Sequence, residues 1–78
     1  MDYSDALRKL KDGHRVARAG WNGKGMWLAM TYSGACYLTD PKPVQLEPFI
    51  VMKTADNKFV PWLCSQTDAM TEDWEIVE

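Results

Sequence analysis

The stretch GWNGKGMW at residues 20–27 decides how the first half of the chain folds. An Asn-Gly step between two extended segments is the strongest short signal for a β-hairpin, because both residues accept the positive φ angles of a type I′ turn. The stretch therefore predicts strands at residues 14–21 and 24–32, joined by a two-residue turn at Asn22 and Gly23.

A two-residue turn also fixes which residues lie opposite each other. Trp21 is then paired with Lys24, Gly20 with Gly25 and Arg18 with Trp27, and opposed residues share a face of the sheet. This register predicts a cation–π contact between the Arg18 guanidinium and the Trp27 ring.

The rest of the chain predicts one helix and several more short strands. Ser4 is a suitable N-cap and Gly13 a suitable terminator for an amphipathic helix over residues 4–12, with Ala6, Leu7 and Leu10 on its apolar side. Further strands are predicted at residues 36–39, 49–54, 58–63 and 74–77, with a turn at 55–57, a helical turn at 65–70 after the cap Ser65, and Trp74 and Ile76 facing inward. The predicted fold class is α+β: a short N-terminal helix packed on a mostly antiparallel β-sheet, in a single domain spanning residues 1–78.

Size and composition limit the classes of function. A chain of 78 residues buries a modest fraction of its surface, so self-association is an expected source of stability. The net charge of −2 argues against binding a long nucleic acid, although the lysines and arginines concentrate in residues 1–24, which suits a small anionic ligand. One histidine and two isolated cysteines do not form a zinc motif, and no apolar run is long enough to span a membrane. A soluble cytosolic protein without cofactor is expected.

Two stretches are candidates for a binding site. In residues 20–25 the glycines expose backbone amides that can cradle phosphate oxygens, Lys24 adds a positive charge, and Trp21 offers a surface for stacking a base. The alternative is a twisted hairpin whose tryptophan rings belong to the core. In VPWLCSQTD at residues 60–68, Trp62 precedes a run of polar side chains that suits base edges and ribose hydroxyls, and the alternative is an ordinary capped turn.

The residues give little support for catalysis. His14 is the single imidazole and no nucleophile or acid stands beside it in sequence. Asp68, Glu72 and Asp73 are more simply explained as a solvated acidic turn than as a magnesium site. Met26, Met30 and Met52 fall at predicted strand positions, where adaptable core packing explains them. No catalytic residue is predicted.

Three blocks of sequence, in this order, resemble one known family of small phage proteins. They are ALRKLKDG at residues 6–13, RAGWNGKGM at 18–26, and MKTAD…VPW..SQTD…EDW between residues 52 and 74. Together they occupy about two-thirds of the chain. This succession is similar to the second Thoeris anti-defence family, long catalogued as a domain of unknown function.

The resemblance implies a function as a sponge. In such systems a TIR enzyme makes a cyclic ADP-ribose isomer closed by a glycosidic bond, and the phage protein binds this messenger tightly without cleaving it. Family members form homotetramers with pockets between protomers, and some also capture cyclic dinucleotides. The implied partners are thus a cyclic nucleotide and further copies of the chain, in the cytoplasm of the infected bacterium.

The same resemblance suggests roles for individual residues. Trp21 and Asn22 are expected to contact the base and the ribose. The Gly23 amide, together with Lys24 or Arg18, is expected to contact phosphate. Met26 is included in the site because it ends the block of matching sequence. Four further residues are expected to form the opposite wall of the ligand pocket, in part from a neighbouring chain: Trp62, Ser65, Gln66 and Asp68.

The middle of the chain departs from the family pattern. Residues 33–50 are shorter than in many relatives, Pro48-Phe49-Ile50-Val51 replaces a polar segment, and Asn57 stands where relatives often carry glycine. If this region lines the pocket, the preferred ligand differs. Two alternatives therefore stay open: a sponge for cyclic dinucleotides, and an oligomeric module that binds a protein.

Overall fold

A computed structural model describes residues 1–21, 24–32, 35–36 and 44–77, with the backbone alone at 35, 36, 44 and 45. It contains two helices and seven strands in the order α1 (Tyr3–Lys11), β1 (Val16–Arg18), β2 (Trp27–Thr31), β3 (Ala35–Cys36), β4 (Val44–Gln45), β5 (Phe49–Lys53), β6 (Phe59–Pro61), α2 (Gln66–Met70) and β7 (Trp74–Ile76). The first helix packs on an antiparallel five-stranded sheet, so the predicted α+β class is confirmed. Within the described residues, no helix is long and apolar enough to cross a membrane.

The first helix begins one residue earlier than predicted. Its N-cap is Asp2, whose Oδ1 accepts from the Asp5 amide at 2.8 Å, so the prediction of Ser4 as N-cap was wrong. The predicted end at Gly13 is confirmed. Gly13 has a φ of +95°, and its amide and that of His14 donate to the carbonyls of Leu10 and Lys9. These are the two bonds of a Schellman motif.

The sheet has the order β6-β5-β2-β1-β7, and the register between β1 and β2 differs from the predicted one. Val16 pairs with Leu28, which is a slip of one residue, so Arg18 does not lie opposite Trp27. A one-residue slip moves every side chain to the other face. The observed register places Val16 and Leu28 on the same face, where both are fully buried, and this burial outweighs the turn signal. Arg15 lies over the Trp27 ring instead, with its guanidinium carbon 4.8 Å from the ring centroid.

Several predicted elements need correction in length. The strands predicted at 14–21, 24–32 and 58–63 are β1, β2 and β6, each shorter than expected. The strand predicted at 36–39 is found only as β3, which pairs with the unpredicted β4 in a separate two-stranded sheet, and residues 37–39 lie outside the described residues. The Asn22-Gly23 turn lies outside them as well. Ile76 was expected to face inward but is 45% exposed.

The core lies between α1 and one face of the sheet. Its fully or almost fully buried side chains come from both layers: Ala6, Leu10, Val16, Leu28 and Trp74. Leu7, Met30 and Met52 pack against them, as the sequence pattern predicted for Leu7 and the two methionines. The opposite face of the sheet carries the side chains of the alternate positions.

Both outer edges of the five-stranded sheet are closed to further strands. On β6, Pro61 has no backbone N–H to donate. On β7, the amide of Trp74 donates to the Met1 carbonyl at 3.2 Å, and the Met1 amino group donates to the Trp74 carbonyl at 2.9 Å. An additional strand therefore lacks the regular row of free donors and acceptors that it needs.

Candidate functional site

An ion-pair cluster of Arg18, Asp68 and Asp73 lies at one end of the sheet and holds the segments of the candidate site together. Arg18 extends from the end of β1 and donates through Nη1 to Asp68 Oδ1 at 2.7 Å and through Nε to Asp73 Oδ1 at 2.9 Å. The side chains of Arg18 and Asp68 are only 16% and 15% exposed. The guanidinium is therefore already engaged by two carboxylates from the end of the chain.

Asp73 also fixes the backbone that leads into the glycine-rich stretch. Its Oδ2 accepts from the Gly20 amide at 2.9 Å, and its Oδ1 accepts from the Thr71 hydroxyl at 2.9 Å. A Cβ at Gly20 would lie 2.7 Å from that Oδ2, which is closer than real Cβ contacts allow. A larger residue at position 20 would therefore force the Asp73 carboxylate to shift.

Trp21 follows directly and is the central ring of the candidate site. It is half-buried, its Nε1 donates to Asp68 Oδ1 at 3.3 Å, and its ring meets that of Trp74 edge-on at a centroid distance of 5.4 Å. Trp62 also meets Trp74 edge-on at 6.1 Å, and Tyr3 contacts both Trp62 and Trp74. The structure therefore brings the predicted residues Trp21 and Trp62 together around a buried third tryptophan.

The polar run after Trp62 forms the short helix α2. Ser65 is its N-cap, as predicted, with Oγ accepting from the Asp68 amide at 3.0 Å. The Trp74 Nε1 donates to the Asp68 carbonyl at 2.9 Å, so α2 is tied to the core. Ser65 and Asp68 are engaged in these contacts, whereas Gln66 is exposed on the first turn.

The ion pairs shift the ionisation of both carboxylates. Hydrogen bonds from Arg18, with help from Thr71 and Gly20, lower the pKa of Asp73 to about 2. Burial raises the pKa of Asp68, but hydrogen bonds from Arg18 and Trp21 outweigh it and the net shift is downward. Hydrogen bonds to Asp73 and Asp68 raise the pKa of Arg18. The cluster is therefore ionised throughout the physiological range.

Burial dominates the titration of the two groups behind Trp62. It raises the pKa of Tyr3 to about 12, with a smaller contribution from the neighbouring Cys64. It also raises the pKa of the Cys64 thiol. Both shifts disfavour the loss of a proton from these two groups at neutral pH.

The remaining predicted site residues have separate positions. Lys24 is exposed and Met26 is half-buried, at the two ends of a turn beside Gly25, which has a φ of +75°. Lys53 donates to the Gly25 carbonyl at 2.8 Å and holds this turn against the sheet. Asn22 and Gly23 were predicted to contact the ligand and lie outside the described residues.

Sequence reasoning missed Asp73 and Tyr3 as parts of this arrangement. Asp73 was interpreted as part of a solvated acidic turn, and no local pattern links it to Arg18, which is 55 residues away. Asn57, noted as a departure from glycine, has a φ of 64°, a left-handed conformation that asparagine tolerates better than most residues. This substitution therefore preserves the turn between β5 and β6.

Chemically, this end of the sheet offers aromatic rings, exposed amide and ammonium donors, and carboxylates already paired with arginine. Across the described residues no enclosed cavity is found, and no group of histidine, cysteine or acidic side chains has the spacing of a metal site. Flat and anionic groups match these donors and rings.

Comparison with known proteins identifies the family. A family model described as the Thoeris anti-defense 2-like domain matches residues 1–77. The chain is also 41% identical, over 87 aligned residues, to the protein named Thoeris anti-defense 2 from Bacillus phage SP01, an alignment that covers 99% of this chain and 94% of the phage protein. The chain therefore belongs to the Thoeris anti-defense 2-like family and has an anti-defence role, so the resemblance drawn from the three sequence blocks is confirmed.

Proposed function

We propose that this member of the Thoeris anti-defense 2-like family is a sponge. It binds a cyclic ADP-ribose isomer with a glycosidic ring closure, made by a TIR enzyme, and sequesters it without cleaving it. It acts in the cytoplasm of the infected bacterium as a homo-oligomer, with a tetramer as the expected state. The observation that carries the proposal is the half-buried Trp21 ring, which is held by Asp68 and Trp74.

A fixed ring is the property that a tight binder needs from Trp21. Its indole N–H and one ring edge are already held, so little side-chain entropy remains to be lost on binding. Stacking on an aromatic side chain contributes about 1–3 kcal/mol per base in nucleic-acid binders. In this proposal an adenine stacks on the accessible face of Trp21.

The phosphate contact is best assigned to Lys24. The Arg18 guanidinium is engaged by Asp68 and Asp73, and withdrawing it would leave two carboxylates without their partner. Lys24 is exposed at the start of the Gly25 turn, and successive backbone amides in a turn can bind an anion. Of the two cations expected at the phosphates, Arg18 is thus better described as a support for Trp21.

The second wall is proposed to come from Trp62 and Gln66. Trp62 is half-buried, and Gln66 is exposed on the first turn of α2. Ser65 and Asp68 then act by holding α2 and the Trp21 ring in place. Because the described residues of one chain form no enclosed cavity, the proposal places the ligand between two copies.

Sequestration without cleavage also agrees with the state of the acidic groups. A general acid or base works best with a pKa near the working pH. Asp73 has a pKa of about 2, and that of Asp68 is also lowered. Both stay ionised and paired, which favours binding over hydrolysis.

Calorimetric titration tests this function. The purified protein is titrated with the glycosidically closed cyclic ADP-ribose isomer, with canonical cyclic ADP-ribose, and with a cyclic dinucleotide. Tight binding of the first at less than one ligand per chain, with unchanged ligand recovered after denaturation, is the expected result. Tight binding of the dinucleotide alone would favour the alternative ligand class, and recovery of a cleaved product would show an enzyme.

Matched variants locate the site in the same assay. Trp21→Ala is expected to weaken binding at least tenfold, and Lys24→Gln to weaken it more than Lys58→Gln, an equivalent loss of an exposed lysine beside Asp56. If the protein binds none of the three ligands, or if Trp21→Ala binds as well as the wild type, the proposed site is refuted.

A further inference from the structure

Both carboxylate oxygens of Asp73 bind the segment that leads to Trp21. The Oδ1 atom accepts from Arg18 Nε at 2.9 Å, and the Oδ2 atom accepts from the Gly20 amide at 2.9 Å. The Thr71 hydroxyl donates to the same Oδ1 at 2.9 Å and orients the carboxylate from its other side. Asp73 therefore holds the backbone one residue before Trp21.

The side chain of Asp73 takes over where the pairing between β1 and β7 stops. Arg18 is the last residue of β1 in the register with β7, and the Ala19 amide then donates to the Asp73 carbonyl at 3.0 Å. Gly20 lies beyond this backbone bond, and its amide donates to the Asp73 side chain instead. The Trp21 amide turns back to the Arg18 carbonyl at 3.2 Å. The path of the backbone into Trp21 thus depends on one carboxylate.

The Trp21 side chain is held at a second point, separate from its backbone. Its Nε1 donates to Asp68 Oδ1 at 3.3 Å, and its ring meets Trp74 edge-on at 5.4 Å. The same Asp68 oxygen accepts from Arg18 Nη1 at 2.7 Å. Arg18 therefore joins the carboxylate that holds the ring to the carboxylate that holds the backbone.

Two fixed points determine the orientation of the Trp21 ring. A tryptophan side chain has two torsion angles, so an anchored backbone and an anchored indole N–H together leave the ring little freedom. Loss of the contact between Asp73 and Gly20 would free the backbone end, and the ring would then have to be ordered when a ligand binds. That ordering costs entropy and weakens binding, although no contact with the ligand is lost.

We propose that Asp73 is a positioning residue for ligand binding, which holds the backbone before Trp21 so that the ring is in place before a ligand arrives. The inference rests on the proposed function, in which an adenine stacks on Trp21. Asp73 itself makes no contact with the ligand in this proposal.

Charge and positioning predict opposite effects of replacing Asp73. Asp73→Asn removes one negative charge from a protein of net charge −2 and removes one carboxylate partner of Arg18, and both changes favour an anionic ligand. Positioning predicts weaker binding, because asparagine has one side-chain acceptor oxygen for donors that now bind two. The direction of the change in affinity therefore separates the two explanations.

Titration of the full chain with the glycosidically closed cyclic ADP-ribose isomer measures this direction. Asp73→Asn is expected to raise Kd at least fivefold. Glu72→Gln makes the same charge change at the exposed neighbouring position and is expected to leave Kd within twofold of the wild type. Asn57→Ala, which disfavours the left-handed turn between β5 and β6, controls for a loss of stability and is expected to leave Kd unchanged.

The same contact can be broken from the glycine side. Gly20→Ala places a Cβ 2.7 Å from Asp73 Oδ2 and is expected to weaken binding to a similar extent. Because both changes break one contact, the double variant should bind no more weakly than the weaker single variant. In NMR spectra the Trp21 indole N–H resonance, assigned with Trp21→Phe, should shift or broaden in both single variants, whereas that of Trp27 should not.

The outcomes distinguish this inference from the proposed function. A wild type that binds the isomer, with an Asp73→Asn variant that binds equally or more tightly, would overturn the positioning role alone. Single effects that multiply in the double variant would show that Asp73 and Gly20 act separately, which would also overturn it. A wild type that binds none of the three ligands tested above would overturn the proposed function and this inference together.

Discussion

Replacement of Leu28 by alanine tests the observed register most directly. Leu28 lies on the central strand β2 and is completely buried against Val16 and α1. The change removes three carbons, worth about 0.8 kcal/mol each in transfer from water. The cavity left behind adds to this, so the expected loss in the free energy of unfolding is about 2.5–5 kcal/mol.

This loss is large relative to the stability of a small domain. At roughly 0.05–0.15 kcal/mol per residue, a chain of this length has about 4–12 kcal/mol in total. Since each kcal/mol shifts Tm by about 4–8 °C in domains of 60–100 residues, a fall of at least about 10 °C is expected. Urea unfolding followed by tryptophan fluorescence and a thermal scan, both at equal protein concentration, measure the effect.

Leu63→Ala is the matched control for this experiment. The Leu63 side chain is 90% exposed, so the same chemical change removes only about a tenth of the transfer term, roughly 0.2 kcal/mol. The register with Val16 opposite Leu28 would be refuted if Leu28→Ala lost less than about 1 kcal/mol, or if the two variants behaved alike.

Three further outcomes are expected from the contacts described. Ser65→Ala removes the N-cap of α2 and should lower the free energy of unfolding by about 0.5–2 kcal/mol, measured by urea denaturation, whereas Ser65→Thr should restore most of it. Because the folded pKa of Asp73 is about 2, below its unfolded value of about 4, its stabilising contribution is present above pH 4 and is lost as the pH falls through 2. The urea midpoint should fall across that window, and less steeply for Asp73→Asn than for Glu72→Gln; equal slopes would contradict the role of the ion-pair cluster. Asn57→Ala should lower the free energy of unfolding by about 1 kcal/mol, because the left-handed φ of 64° is unfavourable for alanine. Asn57→Gly should leave the free energy of unfolding nearly unchanged, and an alanine variant more stable than the wild type would contradict the left-handed turn.

The sequence predicted the features that depend on local pattern. The stripe of Ala6, Leu7 and Leu10 indicated the face on which α1 packs, and Gly13 marked its end because a left-handed residue is needed there. The cap Ser65 was predicted for the same kind of reason. In each case the deciding contact joins residues a few positions apart.

Features that depend on distant residues were not predictable in the same way. The observed register between β1 and β2 is set by the burial of Val16 beside Leu28 and Trp74. The Asn-Gly turn signal alone predicted a register that is wrong by one residue. The engagement of Arg18 by Asp73 joins β1 to the segment before β7, and no spacing in the sequence encodes it. The predicted cation–π contact thus had the correct ring and the wrong arginine.

The position of β7 has a consequence for how the protein is made. Among the residues that the structure describes, Trp74 completes a core whose other buried side chains come from the first 28 positions, and β7 pairs with β1. Bringing Arg18 to Asp73 closes a loop of 55 residues, so the fold has many contacts between distant positions and should form more slowly than a helical domain of equal size. A nascent chain that ends before residue 74 cannot build this core. During synthesis, the core can therefore be completed only after β7 has left the ribosome.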